Sequence, residues 1–207
     1  MQRTLEILQR GGITRCILVT GYLHEKLEAF VRSLLLDLEI TFVHNPLFAS
    51  TNNNYSLWLS HSALKGDAML LLDADILFDT RILSRLLESP YEDALIMRRS
   101  AELGLEEIKV ELDVHDRVVN IGKEVDPQKS AGESLGIEKF SAATAEKLFK
   151  TLSERKDRNE FYEASFQEII NGGAELYAVE SGGFPCMEID TPEDYEAANR
   201  LAALLIQ

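Results

Sequence analysis

Cysteine, proline and tryptophan are scarce in this chain, basic residues are outnumbered, and no apolar run is long. Two cysteines in 207 residues are too few for a disulfide framework, and no Cys/His group has the spacing of a zinc site. Cys16 and Cys186 both fall in expected strands with apolar neighbours. They read as buried, reduced thiols, which fits a cytoplasmic protein. Only 5 prolines are present, and no stretch rich in Pro, Gly or Ser marks a linker, nor does any segment repeat. One domain over residues 1–207 is the expectation. Lys and Arg number 21 against 35 Asp and Glu, a formal charge of −14. That excludes a nucleic-acid or anionic-membrane surface, since both need clustered cations. A small phosphorylated ligand held in a local pocket stays open. No apolar run approaches the roughly 18 residues of a membrane span, and no charged-then-apolar leader precedes the first element.

What is present is alternation. "RCILVT" (15–20) and "ITFVHN" (40–45) read as buried strands. Between them Leu23, Leu27, Phe30, Val31, Leu34 and Leu35 recur at the spacings of one helix face. A helix is expected over Tyr55 to Leu64, ended near Gly66. The strand "AMLLLD" follows, then a helix from about Thr80 to Leu87 and the strand "DALIMRR" (93–99). Residues 108–122 read as two strands joined by a tight turn at Val114 to Asp116. Ser141 is the expected N-cap of a helix over 141–152, and another helix covers about Glu160 to Ile170. "AELYAVE" and "PCMEI" are short strands, and Thr191-Pro192 opens the last helix as N-cap and first turn. Strand–helix alternation implies an α/β fold, a mainly parallel sheet with helices on both faces plus a small antiparallel hairpin.

The run Ala68 to Leu72 stops on two carboxylates, Asp73 and Asp75. Carboxylates at the end of a buried strand are costly to desolvate unless a cation accompanies them. In open α/β sheets ligands bind beyond the carboxyl ends of the strands, and "MEID" (187–190) ends another strand in Asp190. Asp75 and Asp190, delivered by separate strands, suit Mg²⁺, which takes one or two carboxylates together with phosphate oxygens and water. The plainer alternative is that Asp73 caps the next helix and Asp190 merely precedes one. "TGY" (20–22) and the Asn-dense "HNPLFASTNNNYS" (44–56) are two further polar strand ends. Gly21 there permits close backbone approach, and the Asn run is open to reading as a turn-rich loop.

Taken in order, "VTGYLHEKLEAF", "HNPLFASTNNNYSLWL", "LLLDADILFD", "GESLGIEKF" and "MEIDTPEDYEAA" resemble the nucleotidyltransferases similar to phosphocholine cytidylyltransferase. That group spans sugar-phosphate, phosphocholine and phosphonate nucleotidyl transfer. The resemblance covers nearly the whole chain and implies a Rossmann-like nucleotidyltransferase fold. It implies Mg²⁺ held by Asp75 and Asp190, with Gly21, Asn52, Asn53, Tyr55, Ser56 and Asp73 against the nucleotide. It also implies transfer from CTP or another NTP to a small phosphorylated acceptor, with release of pyrophosphate. Amide side chains suit a cytosine ring, which presents both donors and acceptors.

For the acceptor, Glu133, Phe161, Tyr162 and Glu163 fall in the region where such enzymes form their pocket. An aromatic face beside a carboxylate is what an ammonium head requires. Lys123 is a candidate for the acceptor phosphate, or a solvated surface lysine. Phe166 and Trp58 read as core residues, and His24, His44, His61 and His115 have no partner at catalytic spacing. The resemblance also implies an initial G-x-G-x-R loop followed by Pro-Lys, which this chain does not contain; Gly11-Gly12 is a helix stop. The chain as given is therefore expected to bind nucleotide poorly and turn over little, and the sheet edge left open to be covered by a second copy. A D-x-D glycosyltransferase, and a catalytically silent domain that binds a ligand or partner, are the alternatives.

Overall fold

The computed structural model describes residues 1–64, 66–100 and 103–205. In chain order, α1 (Gln2–Arg10), β1 (Arg15–Thr20), α2 (His24–Ser33), β2 (Glu39–His44), α3 (Asn53–Leu59) and α4 (His61–Leu64) come first. They are followed by β3 (Met69–Leu72), β4 (Ile76–Phe78), α5 (Thr80–Glu88), β5 (Ala94–Arg99), β6 (Lys109–Leu112) and β7 (Val118–Gly122). The last are β8 (Gly132–Phe140), α6 (Ala142–Glu154), α7 (Glu163–Asn171), β9 (Tyr177–Glu180), β10 (Cys186–Glu188) and α8 (Pro192–Leu204). The alternation is that of an α/β, Rossmann-like fold. Where the sequence reads as one domain, packing divides the chain into two compact units. One comprises residue 1 with 70–139 and 175–207, and the other 2–69 with 140–174.

In the second of these, β1 and β2 pair in parallel from Arg15 opposite Glu39 to Thr20 opposite His44, with α2 as the crossover. The apolar stripe expected of α2 is only partly realised. Val31 is buried, but Phe30 is 45% exposed and Leu35 wholly so. The helix ends at Ser33 and Leu34 turns extended, so the 3.6-residue period cannot carry Leu35 to the buried side. Leu23 lies before the helix at φ 53°, a left-handed conformation that is strained for a leucine. The helix expected over 55–64 is two. Ser60 breaks it by donating its hydroxyl to the Leu57 carbonyl at 2.7 Å, a local bond that competes with the helical ladder.

The other unit is built on a sheet in the order β7-β6-β8-β5-β9, with β3 also paired to β8. β5 and β9 are parallel, whereas β5·β8, β6·β8 and the expected hairpin β6·β7 are antiparallel. "GESLGIEKF" forms β8, the longest strand, although Gly136 and the buried Glu138 interrupt its apolar pattern. Ile82, Leu83 and Leu86 of α5 and residues 94–97 of β5 are wholly or almost wholly buried. α5 starts on Asp79, whose carboxylate accepts the Arg81 N–H at 2.9 Å. Among the described residues no helix is long and apolar enough to cross a membrane.

Phe166 on α7 is wholly buried, with its ring 5.1 Å from that of Phe140 and 4.9 Å from that of Tyr162. Phe166→Ala should destabilise the fold by about 3–5 kcal/mol, read as a lowered midpoint in urea unfolding followed by circular dichroism. A loss below about 1 kcal/mol would mean that this aromatic cluster is not packed as described.

Candidate active site

β3 ends at Leu72, and the chain turns through Asp73, Ala74 and Asp75 into β4. The turn is fixed from β8: the Asp73 N–H donates to the Gly136 carbonyl at 2.9 Å. Gly136 has φ +64°, and a Cβ built on it would lie 2.2 Å from Asp73 Oδ2. Glycine is required here twice, by its own backbone and by the carboxylate against it.

β4 pairs antiparallel with β10, Phe78 opposite Cys186, Leu77 opposite Met187 and Ile76 opposite Glu188. One step on, the Asp75 carbonyl accepts the Ile189 N–H at 3.0 Å. The ladder therefore sets Asp75 beside a segment that carries Glu188 on one side and Asp190 on the other. α8 starts immediately afterwards through a capping box. Thr191 Oγ1 accepts the Asp194 N–H at 3.1 Å and Asp194 Oδ2 accepts the Thr191 N–H at 2.9 Å, with Pro192 in the first turn. Asp79 caps α5 and the Thr191–Asp194 box caps α8, so neither Asp73 nor Asp190 serves as a helix cap. Asp75 and Asp190 are both exposed.

Carboxylates collect here. Partial burial raises the pKa of Glu188 first, and the negative charges of Asp190, Asp75 and Glu133 raise it further, while Lys123 opposes them. Glu188 as a residue is exposed, so solvent screens much of this repulsion. Two cations stand nearby, and both have partners. Arg98 Nε holds Glu133 Oε1 at 2.9 Å, and its Nη1 donates to the Cys186 carbonyl at 3.2 Å. Lys123 Nζ meets Glu106 Oε2 at 2.9 Å. Cys186 itself is buried, and that burial pushes its thiol up to about 12, which leaves it inert as a nucleophile.

The remaining expected site residues lie in the other unit. Gly21 has a packing reason, because a Cβ there would sit 2.6 Å from Phe48 Cβ. The three asparagines act as staples to the α6–α7 connection. Asn52 Oδ1 accepts the Asn53 N–H at 2.8 Å as the N-cap of α3, and the Asn52 N–H donates to the Arg158 carbonyl at 2.8 Å. Asn53 Oδ1 accepts the Tyr162 N–H at 2.8 Å, and Asn54 Nδ2 donates to the Asp157 carbonyl at 3.2 Å. Ser56 Oγ accepts from Asn45 Nδ2 at 3.1 Å. Tyr55 stacks on Trp58 with ring centres 5.5 Å apart, and Arg158 lies 4.7 Å over its face. Tyr162 and Glu163 are buried, and the exposed aromatic of this stretch is Phe161. Tyr162 and Phe166 are four apart and turn inwards together, an i,i+4 relation that the aromatic-plus-acid reading overlooked.

Sequence reasoning also missed partners formed across strand ends. His24 and His44 stack with ring centres 4.0 Å apart, and His24 Nδ1 lies 3.4 Å from Glu28 Oε1. Glu188 stands inside the quoted "MEID", and Arg98 ends the strand "DALIMRR"; the one readable signal was a charged residue at a strand terminus.

No family model matches the chain. Among solved structures it is similar to the inositol-1-phosphate CTP transferase from T. maritima, with TM-score 0.79 and 20% identity over 97% of this chain and 80% of that one. It is similar too to the CTP:phosphocholine cytidylyltransferase of Streptococcus pneumoniae, with TM-score 0.72 and 19% identity over 97% of this chain and 84% of that one. The fold is that of the nucleotidyltransferases. In sequence the chain is 26% identical over 206 residues to the bifunctional IPC transferase and DIPP synthase of Aquifex aeolicus, covering 97% of this chain and 44% of that protein. It thus spans less than half the length of that relative. The chain is thus similar to nucleotidyltransferases in fold and, at 26% identity, in sequence.

Gly136→Ala should destabilise by about 1–3 kcal/mol through its positive φ and the clash with Asp73. Adding Asp73→Ala should restore part of the loss by removing the clash. Urea midpoints of the two single variants and the double variant give the coupling; strict additivity would mean that Gly136 and Asp73 do not meet.

Proposed function

We propose that the chain is a Mg²⁺-dependent nucleotidyltransferase domain that transfers a cytidylyl group from CTP to a small phosphorylated alcohol or phosphonate. What supports this reading is that the Ile189 N–H donates to the Asp75 carbonyl at 3.0 Å, one residue before Asp190, and that the charges of Asp75 and Asp190 both bear on Glu188 between them in the ladder. Among the described residues no three His, Cys, Asp or Glu side chains form a ready-made cage for an ion. Two carboxylates completed by phosphate oxygens and water are, however, a donor set that Mg²⁺ accepts. Asp75 and Asp190 would hold the ion, which when bound neutralises and aligns phosphate groups.

An oxygen of the acceptor phosphate attacks the α-phosphorus of the nucleotide in line, the α–β bridge breaks, and pyrophosphate leaves. No general base is required, because a phosphate monoester, with a second pKa of about 6, is already ionised at neutral pH. Arg98 holds Glu133 in place, and Glu133 is the carboxylate assigned to a cationic acceptor head. Lys123 is the group assigned to the acceptor phosphate. Asn52, Asn53 and Ser56 shape the loop assigned to the nucleotide. The likeness to enzymes whose names specify CTP, inositol 1-phosphate and phosphocholine supports CTP and a phosphorylated acceptor. Among the described strands β1 pairs only with β2, and we assign the open edge to a second copy of the chain; a clean monomer in light scattering would overturn that assignment.

CTP with Mg²⁺ should raise the melting temperature, by a few degrees where ligand exceeds its Kd about a hundredfold. The rise should vanish with EDTA and in Asp75→Asn and Asp190→Asn, whose unliganded melting should stay close to that of the unaltered chain. Differential scanning reads all of these. A shift that is indifferent to Mg²⁺ and to both substitutions would remove the metal from the account, and no shift at all would leave a catalytically silent domain.

A further inference from the structure

A pocket of about 200 Å³ opens on the unit that holds β5 and β9. Its charged walls are Arg85 of α5, Arg99 of β5, Asp116 of the turn between β6 and β7, and Glu180 of β9. Leu112 and Ala178 supply apolar wall. Arg98, the preceding residue of β5, points to the other face of the strand, where it meets Glu133 and the Cys186 carbonyl. The pocket therefore lies apart from the acidic turn of Asp75 and Asp190.

The two ends of the pocket differ in charge. Arg85 is positioned by its Nε, which donates to the Glu180 carbonyl at 2.7 Å. Gly182 leaves room for its stem, since a Cβ there would lie 3.2 Å from Arg85 Nε. Among the described residues no carboxylate pairs with Arg85, because both nearby acids go to Arg99. Arg99 Nε is bonded to Glu180 Oε1, and its Nη2 lies 3.7 Å from Asp116 Oδ1. One guanidinium against two carboxylates leaves that end with negative charge in excess. Asp116 is the looser partner, and its backbone is fixed: φ is 59°, a conformation that aspartate tolerates, and its carbonyl accepts the Ala178 N–H at 2.9 Å. Arg85 is exposed, and the Asp116 side chain is 58% exposed, so a ligand in the pocket reaches both.

We propose that this pocket takes a compact zwitterion, a small α-amino acid such as alanine. Its carboxylate lies along the Nη1–Nη2 edge of Arg85, the edge that Nε leaves free for a bidentate pair. Its ammonium donates to Asp116, and its methyl group rests on Leu112 and Ala178. The volume exceeds the roughly 150 Å³ that admits a benzene ring and stays below the roughly 300 Å³ at which sites for drug-sized ligands begin. An anion alone is repelled by Asp116 and Glu180, and a cation alone by Arg85 and Arg99. A zwitterion satisfies both ends and adds no net charge to a chain already at −14. Both ends are open to solvent, so binding is weak and falls with salt.

The Asp116 and Ala178 amide cross-peaks of an assigned ¹H–¹⁵N spectrum report on this wall. L-Alanine, added without nucleotide or Mg²⁺, should move both to saturation in the millimolar range. Propanoate, which lacks the ammonium, and ethylamine, which lacks the carboxylate, should each bind about tenfold more weakly. Arg85→Gln, at an exposed helix position, should abolish saturation by L-alanine, and Asp116→Asn, which keeps the backbone conformation accessible, should weaken it about fivefold. If either variant fails to fold, the three ligands compared on the unaltered chain carry the test. Equal binding of propanoate would make the pocket a plain anion site, and equal binding of ethylamine a cation site. Unmoved peaks, or shifts that survive Arg85→Gln, would leave it to solvent; each of these results overturns the proposal. Because neither CTP nor the metal takes part, failure here and failure of the nucleotidyltransferase reading remain distinct.

Discussion

The pairing of β4 with β10 is three residues long, and the position of the acidic centre depends on it. Phe78 opposite Cys186 and Ile76 opposite Glu188 fix a register that continues by one bond, from the Ile189 N–H to the Asp75 carbonyl. A slip of one residue would turn every side chain of β10 to the opposite face, burying Glu188 and exposing Cys186. The register is protected because Phe78, Ile76 and Cys186 are buried, so the slipped pairing loses apolar burial from both strands. Asp75 and Asp190 are then placed by backbone geometry alone, without any ion pair to draw them together.

The two ends of this arrangement are closed by different devices. On the β4 side, Gly136 lets β8 approach until its carbonyl takes the Asp73 N–H, and the same approach leaves Asp73 no room to move toward Gly136. On the β10 side, the Thr191–Asp194 capping box and Pro192 start α8 at once. The depressed pKa of Asp194, caused first by the Thr191 hydroxyl and then by its N–H, marks the box as a charge-assisted one. Neither device uses the carboxylate of Asp75 or of Asp190. Structural capping thus falls to Asp79 and Asp194, and the carboxylates of Asp75 and Asp190 take no part in it.

Much of this was legible in the sequence, and what was not has a common cause. Local signals served well. The strand at 15–20, the Ser141 N-cap, the Thr191-Pro192 start and the hairpin at 108–122 all appear where period and capping chemistry put them. The resemblance carried the fold and its order of elements. Long-range partners were not readable. Asn52 and Asn53 are expected against the nucleotide, and the structure adds hydrogen bonds from them, and from Asn54, to residues 157–162, more than a hundred positions away. Tyr162 looked like a ligand-facing aromatic, and its burial follows from Phe166 one turn later and Phe140 beyond. Periodicity reports which face of an element is apolar; it does not report what another segment brings against it. β8 escaped the period test for a related reason, since its buried Glu138 is hydrogen-bonded to Ser134, a pairing that makes a charged residue compatible with a core strand.

Charge balance links the acidic centre to the chemistry it is assigned. Arg98 is held by Glu133 and the Cys186 carbonyl, and Lys123 by Glu106, so the cations nearest the cluster are each matched by an anion. Asp75, Glu188 and Asp190 carry net negative charge, and repulsion from Asp190 and Asp75 adds to the partial burial that raises the pKa of Glu188, with Lys123 opposing it. A protein gains no stability from gathering like charges at an exposed turn, and a packing role is excluded by the exposure of all three. The arrangement makes physical sense where a cation of higher charge joins it together with the phosphates it binds. The ion then offsets the repulsion among the carboxylates and the repulsion between carboxylates and phosphate at once. Under the proposed function the acidic residues repel one another in isolation, and the ion and phosphate assigned to them offset that repulsion.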